Sequence, residues 1–283
     1  MRSQPLYLAI GHICQDIIPC GWKVGGTVSF ALRVAAVLGY ETRLITSTTP
    51  AFPLAQALPQ TLVHTIPAPQ NTVFENVQTV RGRVQTLHSR ALTLTPDHLP
   101  QDWPIPAIVH LAPIAGEIDP AVIPAYPHSL IGLTAQGWLR RWDAQGRVTP
   151  SSWAMAERVL PRVDVTILSQ EDLPDEATLA TFRRCARLLV VTAGAQGCHV
   201  YISGEAHHVP VAPVPDVEAT GAGDVFAAAF FIHYHQTGDP LASAHFANRL
   251  AAQTVTQSDL DGKIKAIAAF AATIEKPKVN SEQ

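Results

Sequence analysis

Asp224 closes the run Thr220-Gly221-Ala222-Gly223-Asp224, and Val225-Phe226-Ala227-Ala228-Ala229-Phe230-Phe231-Ile232 follows at once, apolar on every side. Two glycines around one alanine let the backbone turn tightly and reach conformations closed to larger residues. The apolar run is rich in helix formers and reads as a buried helix whose first turn carries the glycines. A helix start exposes unpaired N–H groups and the positive end of the peptide dipoles, which together hold an anion. Asp224 then sits where a carboxylate can take a proton from an attacking hydroxyl while those amides hold the moving phosphoryl. The same five residues also suit a plain glycine turn before a core helix, with Asp224 as its cap, and alone they leave both readings open.

Other groups with chemical potential are scattered. Asp16 stands just beyond a first apolar run, Leu6–Ile10, which Gly11 ends. Gly25-Gly26-Thr27-Val28-Ser29-Phe30 opens a helical pattern that runs to Leu38 and closes on Gly39. Arg140 lies in Gln136-Gly137-Trp138-Leu139-Arg140-Arg141-Trp142, which also suits a surface turn with a basic helix start. The twelve histidines include His207-His208 on a predicted hairpin and His233-x-His235 at a helix end. Neither pair has a third ligand at metal spacing, so they read as solvated or structural. Cys14, Cys20, Cys185 and Cys198 show no CxxC spacing, hence no zinc site or disulfide framework, and a reducing cytoplasm is the default location. Trp138, Trp142 and Trp153 suit packing better than a stacking platform.

The elements that must position these groups alternate strand and helix. Thr42–Ser47, Ala107–Leu111, Leu130–Thr134, Val163–Leu168 and Leu188–Thr192 are short apolar runs with the look of buried strands. Helical patterns fit at about 151–160, 174–186, 240–256 and 262–274, and Val200–Val209 reads as a hairpin across Gly204. A β–turn–α–β start implies a parallel sheet covered by helices. Residues 71–94 differ: β-formers and polar residues around Arg81-Gly82-Arg83 suggest a hairpin at a sheet edge, whose arginines could reach a substrate but better suit a solvated turn. The prolines at 96, 100, 104 and 106 mark a surface connector, and Lys276–Gln283 a frayed end. With 283 residues, 47% apolar, 15% charged and a formal charge of −3, the chain suits one large α/β domain. It shows no basic excess for nucleic acid and no apolar run long enough for a signal peptide or membrane span.

A glycine pair starting the first helix, a Gly-Ala-Gly-Asp before a late helix, and βα alternation between them resemble the ribokinase-like (PfkB) family of sugar and nucleoside kinases over nearly the whole chain. The resemblance implies an α/β, three-layer ribokinase-like fold with a central, mostly parallel sheet flanked by helices. It also implies one domain over 1–283 with a small reduced β lid. Only Ile17–Val24 separate Asp16 from the glycine pair, so the lid is expected mainly from about 71–90 and hardly at all from 17–24. The implied reaction is transfer of the γ-phosphoryl of ATP, with Mg2+, to a hydroxyl of a small sugar or polyol.

On that resemblance Gly221, Ala222 and Gly223 form the anion hole, Asp224 is the base, and Arg140 lies near the reacting phosphate. Asp16, Gly25, Gly26 and Ser29 fall on the substrate side. Thr192, Gly194 and Gly197 correspond to a strand-end segment beside the nucleotide, with Thr220 and Asn248 nearby. Ser169-Gln170-Glu171-Asp172 stands where relatives place an asparagine-to-glutamate segment near nucleotide and magnesium, so either Glu171 or Asp172 supplies the acidic group. Glu218 replaces an aspartate that lies near a monovalent-cation site in several relatives, and dependence on such a cation is left open. Ser29-Phe30 and the segment from Gln136 to Val148 are similar to inositol kinases of the plant type, which points to a cyclic polyol such as myo-inositol. The alternatives are a kinase for another sugar or nucleoside, or a catalytically weak ligand-binding or regulatory module that kept the fold. A monomer or homodimer is expected, with no nucleic-acid or membrane partner.

Overall fold

Seven strands of near-continuous apolar sequence lie parallel: β1 (Leu6–Ile10), β4 (Glu41–Thr48), β5 (Thr61–Pro67), β8 (Ile108–Leu111), β9 (Leu130–Thr134), β12 (Val165–Ser169) and β13 (Leu188–Thr192). β14 (Cys198–Ile202) and β15 (Glu205–Val209) extend the sheet antiparallel, giving the order β15-β14-β13-β12-β9-β8-β1-β4-β5. The computed structural model describes residues 4–80, 82–215 and 217–273. A parallel sheet must be covered on both faces, and alternate residues divide between two cores accordingly. Tyr7, Ala9, Leu44, Val165 and Ile167 pack with α1 (Thr27–Val37), α5 (Ala222–Thr237), α6 (Pro240–Val255) and α7 (Leu260–Ala271). Leu8, Ile10, Ile45, Leu133 and Leu168 face the opposite layer, where α3 (Ala156–Val159) and α4 (Glu176–Cys185) supply Val159 and Phe182. A short helix, α2 (Leu54–Ala57), lies between β4 and β5. Gly132 in β9 admits the Phe231 ring, which a Cβ there would approach to 2.7 Å.

The helix expected at 151–160 is reduced to the single turn of α3 and a 3-10 turn over Leu160–Arg162. Pro161 cannot donate a helical hydrogen bond, which ends the element. Beyond Thr134 the chain makes a 3-10 turn to Leu139 and then a two-stranded hairpin, β10 (Arg140–Trp142) and β11 (Val148–Pro150).

A second sheet of four strands has the order β3-β2-β6-β7: β2 (Cys14–Ile18), β3 (Gly21–Gly25), β6 (Thr72–Thr79) and β7 (Gly82–Ser89). The hairpin expected at a sheet edge over 71–94 is β6–β7, and β7 forms an edge of this second sheet. The small role given to 17–24 is corrected, because β2 and β3 supply half of the sheet. Gly21, at φ 118°, lets the chain reverse after Ile18, so eight residues suffice for most of a tight hairpin that pairs Cys14 with Gly25 and Asp16 with Lys23. Arg81 and the tail from Lys276 lie outside the described residues.

Candidate active site

The loops that follow the parallel strands at their carboxyl ends meet the first turns of α1 and α5 beneath the small sheet. Gly26 (φ 89°) starts α1 and Gly221 (φ 83°) starts α5; both conformations are open to glycine and strained for other residues. A Cβ on Gly26 would lie 2.6 Å from the His12 carbonyl oxygen, and one on Gly221 would lie 2.2 Å from the Phe30 ring. The two helix starts are therefore packed directly against each other. Val225 N–H returns to the Gly221 carbonyl (2.9 Å) and Ala222 N–H to Ala219 (3.1 Å). By position, Gly223 and Asp224 then carry the first-turn amides left to face an anion. Gly223 is exposed, and no atom lies within 4 Å of where its side chain would be.

Asp224 is mostly covered, and burial pushes its carboxyl up to about 6. A hydrogen bond from the Thr27 side chain and the charge of Arg140 pull the other way, while Asp172 and Asp16 raise it further. These couplings bring together, around one carboxyl, four groups far apart in sequence. Thr27 is 3% exposed and had no part in the sequence reading. Its hydroxyl ties Asp224 to α1. Thr27 and Phe30 lie one turn apart on the face of α1 that meets α5.

Asp16 projects from β2, and its Oδ2 would lie 2.2 Å from a Cβ on Gly25, so Gly25 is small because the carboxylate lies over it. Arg140, half-buried, donates to the Ile114 carbonyl (3.1 Å) and lies 5.9 Å from the centre of the Phe74 ring of β6. The Ile114 loop is in turn organised by Glu117, a fully buried carboxylate missed in the sequence. Glu117 accepts from the amides of His12 (3.0 Å), Ile114 (3.0 Å) and Ala115 (2.7 Å). His12 links the two sheets: its Nε2 donates to Leu92 O (2.8 Å), so Nδ1 accepts from Thr72 Oγ1 (2.7 Å), which itself accepts from Ala91 N–H (3.0 Å). Burial lowers the His12 pKa, in keeping with a neutral ring.

Ser29 is fully buried, and its hydroxyl donates to the Gly26 carbonyl (2.7 Å), holding the glycine turn. Asn248 is likewise turned inward, its amide donating to Val209 O (2.9 Å) and Pro210 O (3.4 Å). Gly197 (φ 88°) makes room for the same Val209 carbonyl, while Gly194 (φ 55°) faces open space. Thr192 ends β13 beside Ser169, and its hydroxyl donates to Leu168 O (3.4 Å). Ser169 N–H donates to Asp172 Oδ2 (3.2 Å) and Ser169 Oγ accepts from Glu171 N–H (3.2 Å), a reciprocal cap that turns Asp172 inward and leaves Glu171 exposed. Gln136 adds a bond to Asp172 Oδ1 (3.3 Å). No cluster of three or more His, Cys, Asp or Glu side chains is ready for a metal among the described residues. One carboxylate completed by phosphate oxygens and water is the donor set magnesium takes, and Asp172 fits it.

Solved structures share this architecture. A pyrophosphate-dependent kinase in the ribokinase family, complexed with a pyrophosphate analog and myo-inositol, superposes with a TM-score of 0.74 at 21% identity, over 88% of this chain and 94% of that one. Ribokinase of Arabidopsis thaliana, complexed with ribose and ATP, gives 0.69 at 16% identity, over 96% and 100%. The fold is thus ribokinase-like. Residues 163–266 match the model of the pfkB family carbohydrate kinases. Inositol 3-kinase of Zea mays is 25% identical over 252 residues, a match to 79% of this chain that spans 65% of the maize protein's length.

Proposed function

We propose that this chain is a kinase that transfers the γ-phosphoryl of ATP to a hydroxyl of a small sugar or polyol, with a cyclic polyol such as myo-inositol preferred. The observation that carries the reading is Asp224. A carboxyl held near pKa 6 is ionised at neutral pH yet basic enough to accept a proton in the transition state, and it stands in the first turn of an anion-binding helix. Asp16 accepts hydrogen bonds from acceptor hydroxyls and orients one toward Asp224. As the new oxygen–phosphorus bond forms and the bond to the ADP oxygen breaks, the hydroxyl proton passes to Asp224. The first-turn amides of α5 and the Arg140 guanidinium stabilise the charge on the moving phosphoryl. Asp172, with phosphate oxygens and water, would hold magnesium, which would supply charge neutralisation on the donor. The maize relative's name supports an inositol acceptor, and a ring of hydroxyls without an anomeric carbon demands recognition by several hydrogen bonds.

Pyrophosphate is the second donor reading. The inward amide of Asn248 favours it, because that side chain is already engaged with Val209 and Pro210 instead of facing an adenine. The similar fold solved with a pyrophosphate analog favours it too. The test is to incubate the purified chain with ATP or pyrophosphate against myo-inositol, ribose, fructose and nucleosides. Phosphorus NMR then detects the phosphomonoester whichever donor is used. A product from ATP and an inositol is expected. Preference for pyrophosphate replaces the donor assignment, preference for ribose, fructose or a nucleoside replaces the acceptor, and no product from any pair refutes the kinase reading.

A further inference from the structure

Lys263 is 1% exposed, in the first turn of α7. Both facts run against ordinary preference: a buried lysine loses hydration, and a cation near a helix amino terminus opposes the peptide dipoles. Compensation comes from one short segment. The amine donates to Glu218 O (2.7 Å) and Thr220 O (2.6 Å), and Glu218 Oε2 lies 3.7 Å away. An ammonium has three donors and no acceptor, and what it meets there is two carbonyls and a carboxylate.

Those acceptors belong to the turn that runs into Gly221. The segment is also tied to the end of α6, where Val217 N–H and Glu218 N–H both reach Val255 O (2.8 and 3.0 Å). Its own carboxylate closes it, with Glu218 Oε1 accepting from Thr220 N–H (2.9 Å). Burial works to raise the Glu218 pKa, but the Thr220 bonds and the charges of Lys263 and Lys23 outweigh it and hold the carboxyl below its usual value. α7 itself is anchored to α1 by Arg33 and Asp261 (2.6 Å). Beside these ties, the turn and the amides that follow it are held by one buried positive charge. A free monovalent ion does not fit between the same carbonyls, because the ammonium is already there.

We infer that Lys263 is a positioning residue for phosphoryl transfer: its ammonium is a resident cation that holds the Glu218–Thr220 turn, aims the first amides of α5, and makes the reaction independent of added monovalent cations. The inference rests on the kinase reading above. The test measures turnover, and calorimetric binding of inorganic pyrophosphate, in tetramethylammonium buffer with potassium or ammonium titrated in. The parent chain is expected to show a flat response in both. Lys263→Ala, which leaves the carbonyls facing a space, should lose turnover by about 10²-fold, the scale of a misplaced catalytic geometry, and regain most of it with potassium or ammonium. Lys263→Met refills the space without charge and should lose turnover with no recovery, which covers the case where the alanine variant does not fold. A parent activated several-fold by potassium overturns the inference. So does a folded alanine variant with full turnover, or one whose loss no cation changes. A parent that neither transfers phosphoryl nor binds pyrophosphate removes the kinase reading itself, and this inference with it.

Discussion

Ionising Asp224 works against burial in the folded chain, since its pKa is pushed up to about 6 from the ordinary 3.8. A carboxyl with a raised folded pKa contributes stability that is present below the unfolded value and is lost as pH rises through the folded one. At pH 8 the ionised group therefore destabilises the fold by something on the order of 3 kcal/mol. Asp224→Asn should raise the melting temperature at pH 8 and give little gain near pH 4, while lowering turnover by about 10²- to 10⁴-fold. Equal melting curves at pH 8 would show that the carboxyl is not so confined. Thr27 acts on the same proton from the other side. Thr27→Val removes the hydrogen bond that lowers the Asp224 pKa, so the acid limb of the pH–rate profile should move to higher pH; an unmoved limb would detach Thr27 from the base. The aspartate was legible in the sequence because glycine spacing advertises a turn. The threonine was not, because its partner lies on a helix nearly two hundred residues later.

At the scale of elements, glycines and carboxylates carry opposite kinds of information. Gly25 is required by a neighbour on the paired strand, and a Cβ there displaces the Asp16 carboxylate. Gly25→Ala should raise the Michaelis constant for the acceptor by about tenfold or more, the loss of a charge-assisted hydrogen bond. Affinity for the donor should not change, and a parallel loss of both would mean the whole site had shifted. The parallel strands and the long helices α5 and α6 were readable from apolar runs and caps. The hairpin over Cys14–Gly25 was not, since short half-exposed strands show little periodicity and the count of residues seemed too small for them. Glu117 left no trace either: a carboxylate that gathers amides from two loops joins chain segments that only the fold brings near. Ser29 and Asn248, singled out in the sequence as polar residues on helices near the site, each donate to a backbone carbonyl nearby, which no sequence pattern announces.

Across the whole molecule, the small sheet is attached to the large one by polar contacts through His12 and by an apolar cluster in which Cys14, Phe74 and Leu87 pack with Ile114 and Ala115. Thr72→Val would leave His12 Nδ1 and Ala91 N–H without their partner, at a cost of about 1–3 kcal/mol. Amides of β2 and β6 should then exchange hydrogen faster while those of β1 and β8 keep their protection; uniform acceleration would show that the two sheets open as one. No helix among the described residues is long and apolar enough to cross a membrane. The packing of α1 has a consequence in time. β1 sits mid-sheet between β4 and β8, and α1 buries Val28, Phe30, Leu32 and Val34, in a layer it shares with α5 and α7. A ribosome makes α1 before α5 and α7, so an oily helix waits uncovered while the residues between them are synthesised. Such long-range closure folds slowly and invites holdase chaperones. Stalled nascent chains ending before residue 222 should bind them, and release should coincide with the emergence of α5 through α7.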